Sequence, residues 1–333
     1  MDSVELVALA RSLIDIDSTS GREAEACRWL AGWLRDRGYS VVEQLVTDDR
    51  VNIIATLDPP DVVLSTHIDC VPPFFPSREE DGVLYGRGAC DAKGILAAQV
   101  AALERLRAEG ERRVALLVVV GEEHGSQGAR AANTRPPGSR YLINGEPTDN
   151  RLGAATRGVY RVRLVARGKA AHSSHPELGE SAIEKLLDAL ILLRTLPLPE
   201  HPDMGRTFYT VGLISGGVAP NVVPPIAEAE VNFRTIGSAA DVREAITPLD
   251  DAVDLQDVVE VPPVVLETPS DLDTAVFPFT TDIPFLSAWG KPLLLGPGSV
   301  LVAHTDQEHV RIAEMVDSVD HYVTLARHLL ASG

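Results

Sequence analysis

The chain has 333 residues, 45% hydrophobic and 23% charged. That composition fits one large or two medium globular domains and excludes disorder or a collagen-like repeat as the main organisation. Lys plus Arg number 30 against 48 Asp plus Glu, a net charge of −18, and so acidic a surface repels a phosphate backbone, which makes nucleic acid an unexpected partner.

Taken in chain order, Met1–Glu5 lacks a basic start and no long apolar run follows it, so no export signal is expected. Residues 3–38 read as an amphipathic helical region, with Leu6, Leu9, Leu13 and then Cys27, Leu30, Leu34 at helical spacing. Ser18–Glu23 interrupts it, and Ser20 with Glu23 has the spacing of a capping box for a second helix. Val51–Leu57 and Val62–Thr66 read as strands separated by Asp58-Pro59-Pro60. Ala92–Glu109 reads as a helix, Arg113–Val120 as a buried strand ending at Gly121, and Arg140–Ile143 as a short strand. The apolar run Val114–Val120 is far too short to span a membrane. This β-α-β succession predicts an α/β fold with a mostly parallel sheet and helices on both faces. Sites in such sheets form at the carboxyl ends of the strands.

Around Gly153 the pattern changes. Val159–Val165 alternates as a strand, Ser181–Leu196 is helical, Phe208–Ile214 and Ile226–Thr235 are strands, Ala239–Leu249 is helical, and Val258–Val261 is a strand. Strand, helix, strand, strand, helix, strand is the order of a small α+β, ferredoxin-like domain. Pro292–Leu295 then reads as a strand and Glu308–Leu330 as a closing helix. The expectation is a discontinuous domain, residues 1–154 and 264–333, interrupted by an inserted one at 155–263.

Candidate chemistry clusters after the strands. His67 and Asp69 form an H-x-D at a strand end, where the period of two puts both side chains on one face. His67 suits a metal, with Asp69 behind the imidazole. Gly86-Arg87-Gly88 leads to Asp91 at a helix start. Glu122-Glu123 follows a buried strand, where paired carboxylates are costly unless they hold ions. Asn144-Gly145-Glu146-Pro147-Thr148 follows the next strand, and Gly296-Pro297-Gly298-Ser299 precedes Ala303–Glu308, which contains His304. Taken singly, Asp91 is equally a helix cap, Glu122-Glu123 a solvated turn, Glu146 a loop acid and His304 a paired surface residue. Taken jointly, they make a coordination set for two divalent ions, zinc being favoured by imidazole plus carboxylate. Two close ions usually need a shared carboxylate.

These ordered motifs, from Thr66-His67-Ile68-Asp69 through Gly121-Glu122-Glu123 to His304, resemble the M20 family of co-catalytic metallo-aminoacylases and peptidases. The likeness is to its acetylornithine deacetylase and succinyl-diaminopimelate desuccinylase branch, and it spans nearly the whole chain. The resemblance implies a zinc-hydrolase catalytic domain with an inserted lid and dimerisation domain. It implies Asp91 as the bridging ligand, His67 and Glu146 as the other ligands of one ion, and Glu123 and His304 as those of the second. Asp69 matches the residue orienting His67, and Glu122 the general base. Gly168–Ile183 matches the lid segment, with His172 as the histidine that reaches a partner subunit's site and steadies the oxyanion. Asn221 and Arg234 match contacts to a substrate carboxylate, where an arginine fork pairs two oxygens. The Gly298-Ser299 backbone lines the same pocket in this reading. The resemblance thus implies two Zn²⁺, with Co²⁺ as a substitute, a homodimer, and an N-acyl amino acid as substrate.

Acetylornithine deacetylation, as in arginine biosynthesis, is the first expectation. N-acetylcitrulline, N-acetyl-lysine, succinyl-diaminopimelate or a dipeptide are alternatives, and a catalytically dead amino-acid-binding relative is the alternative of another class. A nucleotide-dependent oxidoreductase is disfavoured, because Gly86-x-Gly88 is followed by Asp91 and no G-x-G-x-x-G follows the first strand. Cys27, Cys70 and Cys90 are an odd count without C-x-x-C, which argues for reduced thiols and a cytoplasmic setting. Cys70 stands where the family usually has valine, a packing difference. The stretch between the lid and His304 is shorter than in most relatives, and it helps to shape the substrate pocket.

Overall fold

The β-rich runs Val62–His67 and Val114–Val119 are buried along their whole length, because each is flanked by two other strands in a six-stranded sheet. This computed structural model describes residues 1–202 and 204–332. Across the sheet the order is Ser40–Thr47, Arg50–Thr56, Val114–Val119, Val62–His67, Tyr141–Asn144 and Lys291–Leu294. The last four run parallel to one another and the first two pair antiparallel. Parallel strands sheltered on both faces explain why these segments read as continuous apolar runs rather than alternating ones.

Helices cover the sheet. Ala24–Asp36 turns Cys27, Leu30, Ala31 and Leu34 inward at helical spacing and packs on Arg50–Thr56. Lys93–Ala108 is buried on nearly every side, sandwiched with Ser3–Ile14 and Ile312–Ala331.

Four local expectations change. The capping box at Ser20 and Glu23 does not form. Arg50 takes the Glu23 carboxylate at 2.5 and 2.8 Å, and the Ser20 hydroxyl lies 3.1 Å from Asp69. The closing helix starts at Ile312, not Glu308, because His309–Arg311 is a strand paired with Val83–Tyr85. Ser40–Thr47 is a strand that the sequence reading does not assign. The helix expected over Ala239–Leu249 stops at Ala245, where Thr247-Pro248 opens a 3₁₀ turn; proline disfavours α geometry in the residue before it.

The chain divides into two units. One comprises Met1–Ala154, Leu266–Ala275 and the residues from Thr281 onward; the other comprises Ala155–Val265 and Val276–Thr280. The second unit holds an antiparallel sheet in the order Phe208–Gly216, Ile226–Thr235, Gly158–Arg167, Asp254–Val261. Ile226–Thr235 buries Ala227, Ala229, Val231 and Phe233 and leaves Glu228, Glu230, Asn232 and Arg234 on its other face. The buried face forms a core with Ala182, Leu186, Ala189 and Leu193 of one helix and Ala239 and Val242 of another. Among the described residues no helix is long and apolar enough to cross a membrane.

Candidate metal centre

In the first unit the parallel strands deliver side chains at their carboxyl ends. His67 is the last residue of Val62–His67. Glu122 and Glu123 follow Val114–Val119, and Glu146 follows Tyr141–Asn144. Asp91 lies just ahead of the helix Lys93–Ala108. His304 comes from the segment after Lys291–Leu294 and adopts a left-handed backbone, φ 63°, a conformation uncommon outside glycine and concentrated at functional positions.

These residues converge into two groups that share Asp91. His67, Asp91 and Glu146 form one, and Asp91, Glu123 and His304 the other; within each, one donor atom per residue lies within 4.8 Å of the rest. Asp91 Oδ1 is 2.9 Å from His67 Nε2, while Asp91 Oδ2 is 3.3 Å from His304 Nε2. Glu123 Oε1 is 2.8 Å from the same His304 nitrogen. The other nitrogen of His67, Nδ1, meets the main-chain oxygen of Asp69 at 2.9 Å. A proton on Nδ1 satisfies that carbonyl and would leave the Nε2 lone pair to a cation shared with Asp91.

Asp69 is fully buried and serves the same end. Its carboxylate accepts the backbone N–H groups of Glu122 and Glu123 at 3.1 and 3.2 Å and lies 3.6 Å from His67 Nδ1. One acid therefore fixes the imidazole and the turn bearing both glutamates. The Glu122 side chain makes no hydrogen bond or ion pair among the described residues, and it belongs to neither donor group.

The charge distribution asks for cations. Burial, then Glu146, raises the Glu122 carboxyl well above the usual range. Burial likewise raises Glu146, whose Oε1 is buried without a hydrogen-bond partner. Asp91 and Glu123 push His304 up to about 10. Several acids crowded into one sheltered place, one with an orphaned oxygen, are a costly arrangement that divalent ions relieve. Imidazole and carboxylate donors around a shared carboxylate fit zinc-like ions.

The remaining sequence candidates fall elsewhere. Gly298 lies in the first unit with φ 80°, and a β-carbon there would sit 2.8 Å from Cys90 Sγ, so the glycine permits close packing beside Asp91. His172, Asn221 and Arg234 belong to the second unit. There Ala171–Ser173 runs against Asn221–Val223, with Ser173 N–H donating to Asn221 O at 3.0 Å and Val223 N–H to Ala171 O at 2.9 Å. His172 is exposed, and its Nδ1 accepts from the Ser174 amide at 3.2 Å. Arg234 is half-buried and makes no ion pair among the described residues. Burial and the neighbouring Arg161 lower its pKa. Cys70 and Cys90 are buried free thiols, and burial pushes Cys70 up to about 12.

Three acids near the centre have partners that a motif reading does not give them. Glu23 clamps Arg50, whose guanidinium occupies the space beside Gly121. Asp282 is buried, one oxygen has no partner, and burial pushes it to about 7. Glu308 binds the loop that carries Asp91. The available signals were weak: an acid just ahead of the apolar stretch Ile283–Leu286, and an acid four places after His304.

Comparison with known proteins bears on this geometry. The model of peptidase family M20/M25/M40 matches residues 63–328. A peptidase M20 domain-containing protein of Schizosaccharomyces pombe is 35% identical over 98% of this chain and 85% of its own length. A probable carboxypeptidase of Aspergillus clavatus is 37% identical over 98% of this chain and 82% of its own length. Among solved structures, a tripeptidase of Staphylococcus aureus superposes with a TM-score of 0.84 at 19% identity, covering 98% of this chain and 99% of that one.

Proposed function

Because the chain belongs to peptidase family M20/M25/M40 and is a metal-dependent hydrolase of that family, we propose that it cleaves the amide bond of a short peptide or an N-acyl amino acid, releasing an amino acid. The observation that carries this reading is Asp91, whose two oxygens face a different histidine each. His67, Asp91 and Glu146 would hold one ion, and Asp91, Glu123 and His304 the other. Zinc suits these donors and cobalt(II) is a working substitute. When bound, the ions supply Lewis acidity toward the acyl carbonyl and make water more acidic.

The chain's own residues do the rest. Glu122, half-buried and a member of neither donor group, takes a proton from the attacking water and returns it to the leaving amine. Asp69 keeps Glu122 and Glu123 in register through their amides. His172 steadies the oxyanion at a partner subunit's site, and Asn221 and Arg234 receive the substrate carboxylate.

Acetylornithine deacetylation is the narrowest form of this reading. The fungal relatives named as carboxypeptidases support a peptide substrate instead. The complete donor sets and Glu122 oppose a catalytically dead amino-acid-binding relative. A homodimer through the second unit is supported by its open edge strand, Phe208–Gly216, where Leu213 is 66% and Ile214 58% exposed. The buried free cysteines agree with a reducing, cytoplasmic setting.

The test is a substrate panel on the chain reloaded with Zn²⁺ or Co²⁺: di- and tripeptides against N-acetyl and N-succinyl amino acids. The peptide reading expects kcat/KM for one or more peptides to exceed that for N-acetylornithine by about ten-fold or more. The opposite ranking restores the deacetylase. Two bound ions with no turnover on any member of the panel contradicts a hydrolase.

A further inference from the structure

Glu308 takes no part in the chemistry described above, yet its side chain is entirely buried and fully bonded. Oε1 accepts the backbone N–H groups of Gly88, Cys90 and Asp91 at 2.9, 3.2 and 3.1 Å. Oε2 accepts Arg87 Nη1 at 2.5 Å. Its own main-chain oxygen accepts the N–H of Gly86 at 3.2 Å. The loop from Gly86 to Asp91 therefore closes around one residue that is distant in sequence. Such a concave array of amide N–H groups is an anion nest, and here the anion is built into the chain.

A fold staple is the plain alternative. A buried ion pair such as Arg87–Glu308 is weak evidence of stabilisation, since well-packed apolar residues often serve as well. An apolar pair could not, however, hold the Asp91 amide. That amide shares one oxygen with two neighbouring N–H groups, so the backbone that launches the Asp91 carboxylate is fixed from behind. At the other end, Glu308 lies four residues after His304, so the same side chain ties the His304 segment to the Asp91 loop.

The structure assigns Glu308 as a positioning residue: by clasping the Arg87–Asp91 loop it sets the shared carboxylate and His304 at a fixed separation before any cation arrives. This rests on the reading that Asp91 and His304 are metal ligands. Residues that orient ligands from behind alter metal affinity by about 10–100-fold when replaced.

The experiment is a calorimetric Zn²⁺ titration, with a competing chelator, of the metal-stripped full chain and of two variants. Far-ultraviolet circular dichroism and melting temperature are recorded without metal. Glu308→Gln keeps the size and one acceptor oxygen but turns an N–H toward Arg87. Glu308→Asp keeps the charge and draws it back by one methylene. Both variants are expected to bind Zn²⁺ about 10–100-fold more weakly than wild type, with unchanged circular dichroism and with Glu308→Asp less affected. A staple alone would lower the melting temperature and leave the affinity of the folded protein unaltered. Wild-type affinity in whichever variant folds overturns the assignment. If wild type itself binds no Zn²⁺, it is the metal-centre reading that fails, and Glu308 loses its role with it.

Discussion

The two donor groups share a carboxylate but differ in their surroundings. His67, Asp91 and Glu146 are all buried. In the other group Asp91 is buried, Glu123 is mostly sheltered, and the His304 side chain is 49% exposed. The difference traces to origin. His67 and Glu146 extend from adjacent parallel strands inside the sheet, whereas His304 sits on a left-handed residue in a surface segment. A rigid strand end preorganises a ligand, and a surface segment admits and releases. The contrast predicts a division of labour: the buried group should retain an ion, and the more exposed one should exchange with solvent.

Replacing what the groups share breaks the comparison most severely. Asp91→Ala should abolish binding of both ions and take turnover below detection, as read by metal analysis and assay of the same preparation. Glu122→Gln comes next. It should keep both ions and lose about 10²–10⁴-fold in kcat; loss of metal instead would move Glu122 into a donor group. His304→Ala then sharpens the contrast by removing one ion and sparing the other. Graded chelation of wild type should likewise empty the protein in two phases, whereas a single phase would erase the distinction between the groups. Asp69→Asn should weaken metal binding by about 10–100-fold, measured by titration, while the chain stays folded. Cys70→Ala should be the mildest change. It should cost about 1 kcal/mol of stability, the scale of a small buried deletion, and leave turnover intact. The native thiol should resist alkylation until the protein unfolds, since burial holds it protonated.

Much of this arrangement was legible in the sequence, for reasons that also mark its limit. Val62–His67 and Val114–Val119 announced themselves because a strand buried on both faces must be apolar throughout. Their ends then pointed to His67, Glu122 and Glu123. Ser40–Thr47 escaped notice because it is an outer strand whose Val42 and Leu45 face solvent. Glu23 read as a capping residue, since spacing alone does not reveal that Arg50 competes for it. Glu308 and Asp282 left only faint traces. The partners of Glu308 are chiefly backbone amides more than two hundred residues upstream, and any sequence supplies those.

The central claim is that one carboxylate organises two cations, and stoichiometry tests it most directly. Zn²⁺ bound per chain is measured by mass spectrometry after gel filtration, for metal-stripped and reloaded wild type beside Asp91→Ala. The account predicts two ions for the first and none for the second. One ion in wild type, or two retained without Asp91, would contradict it.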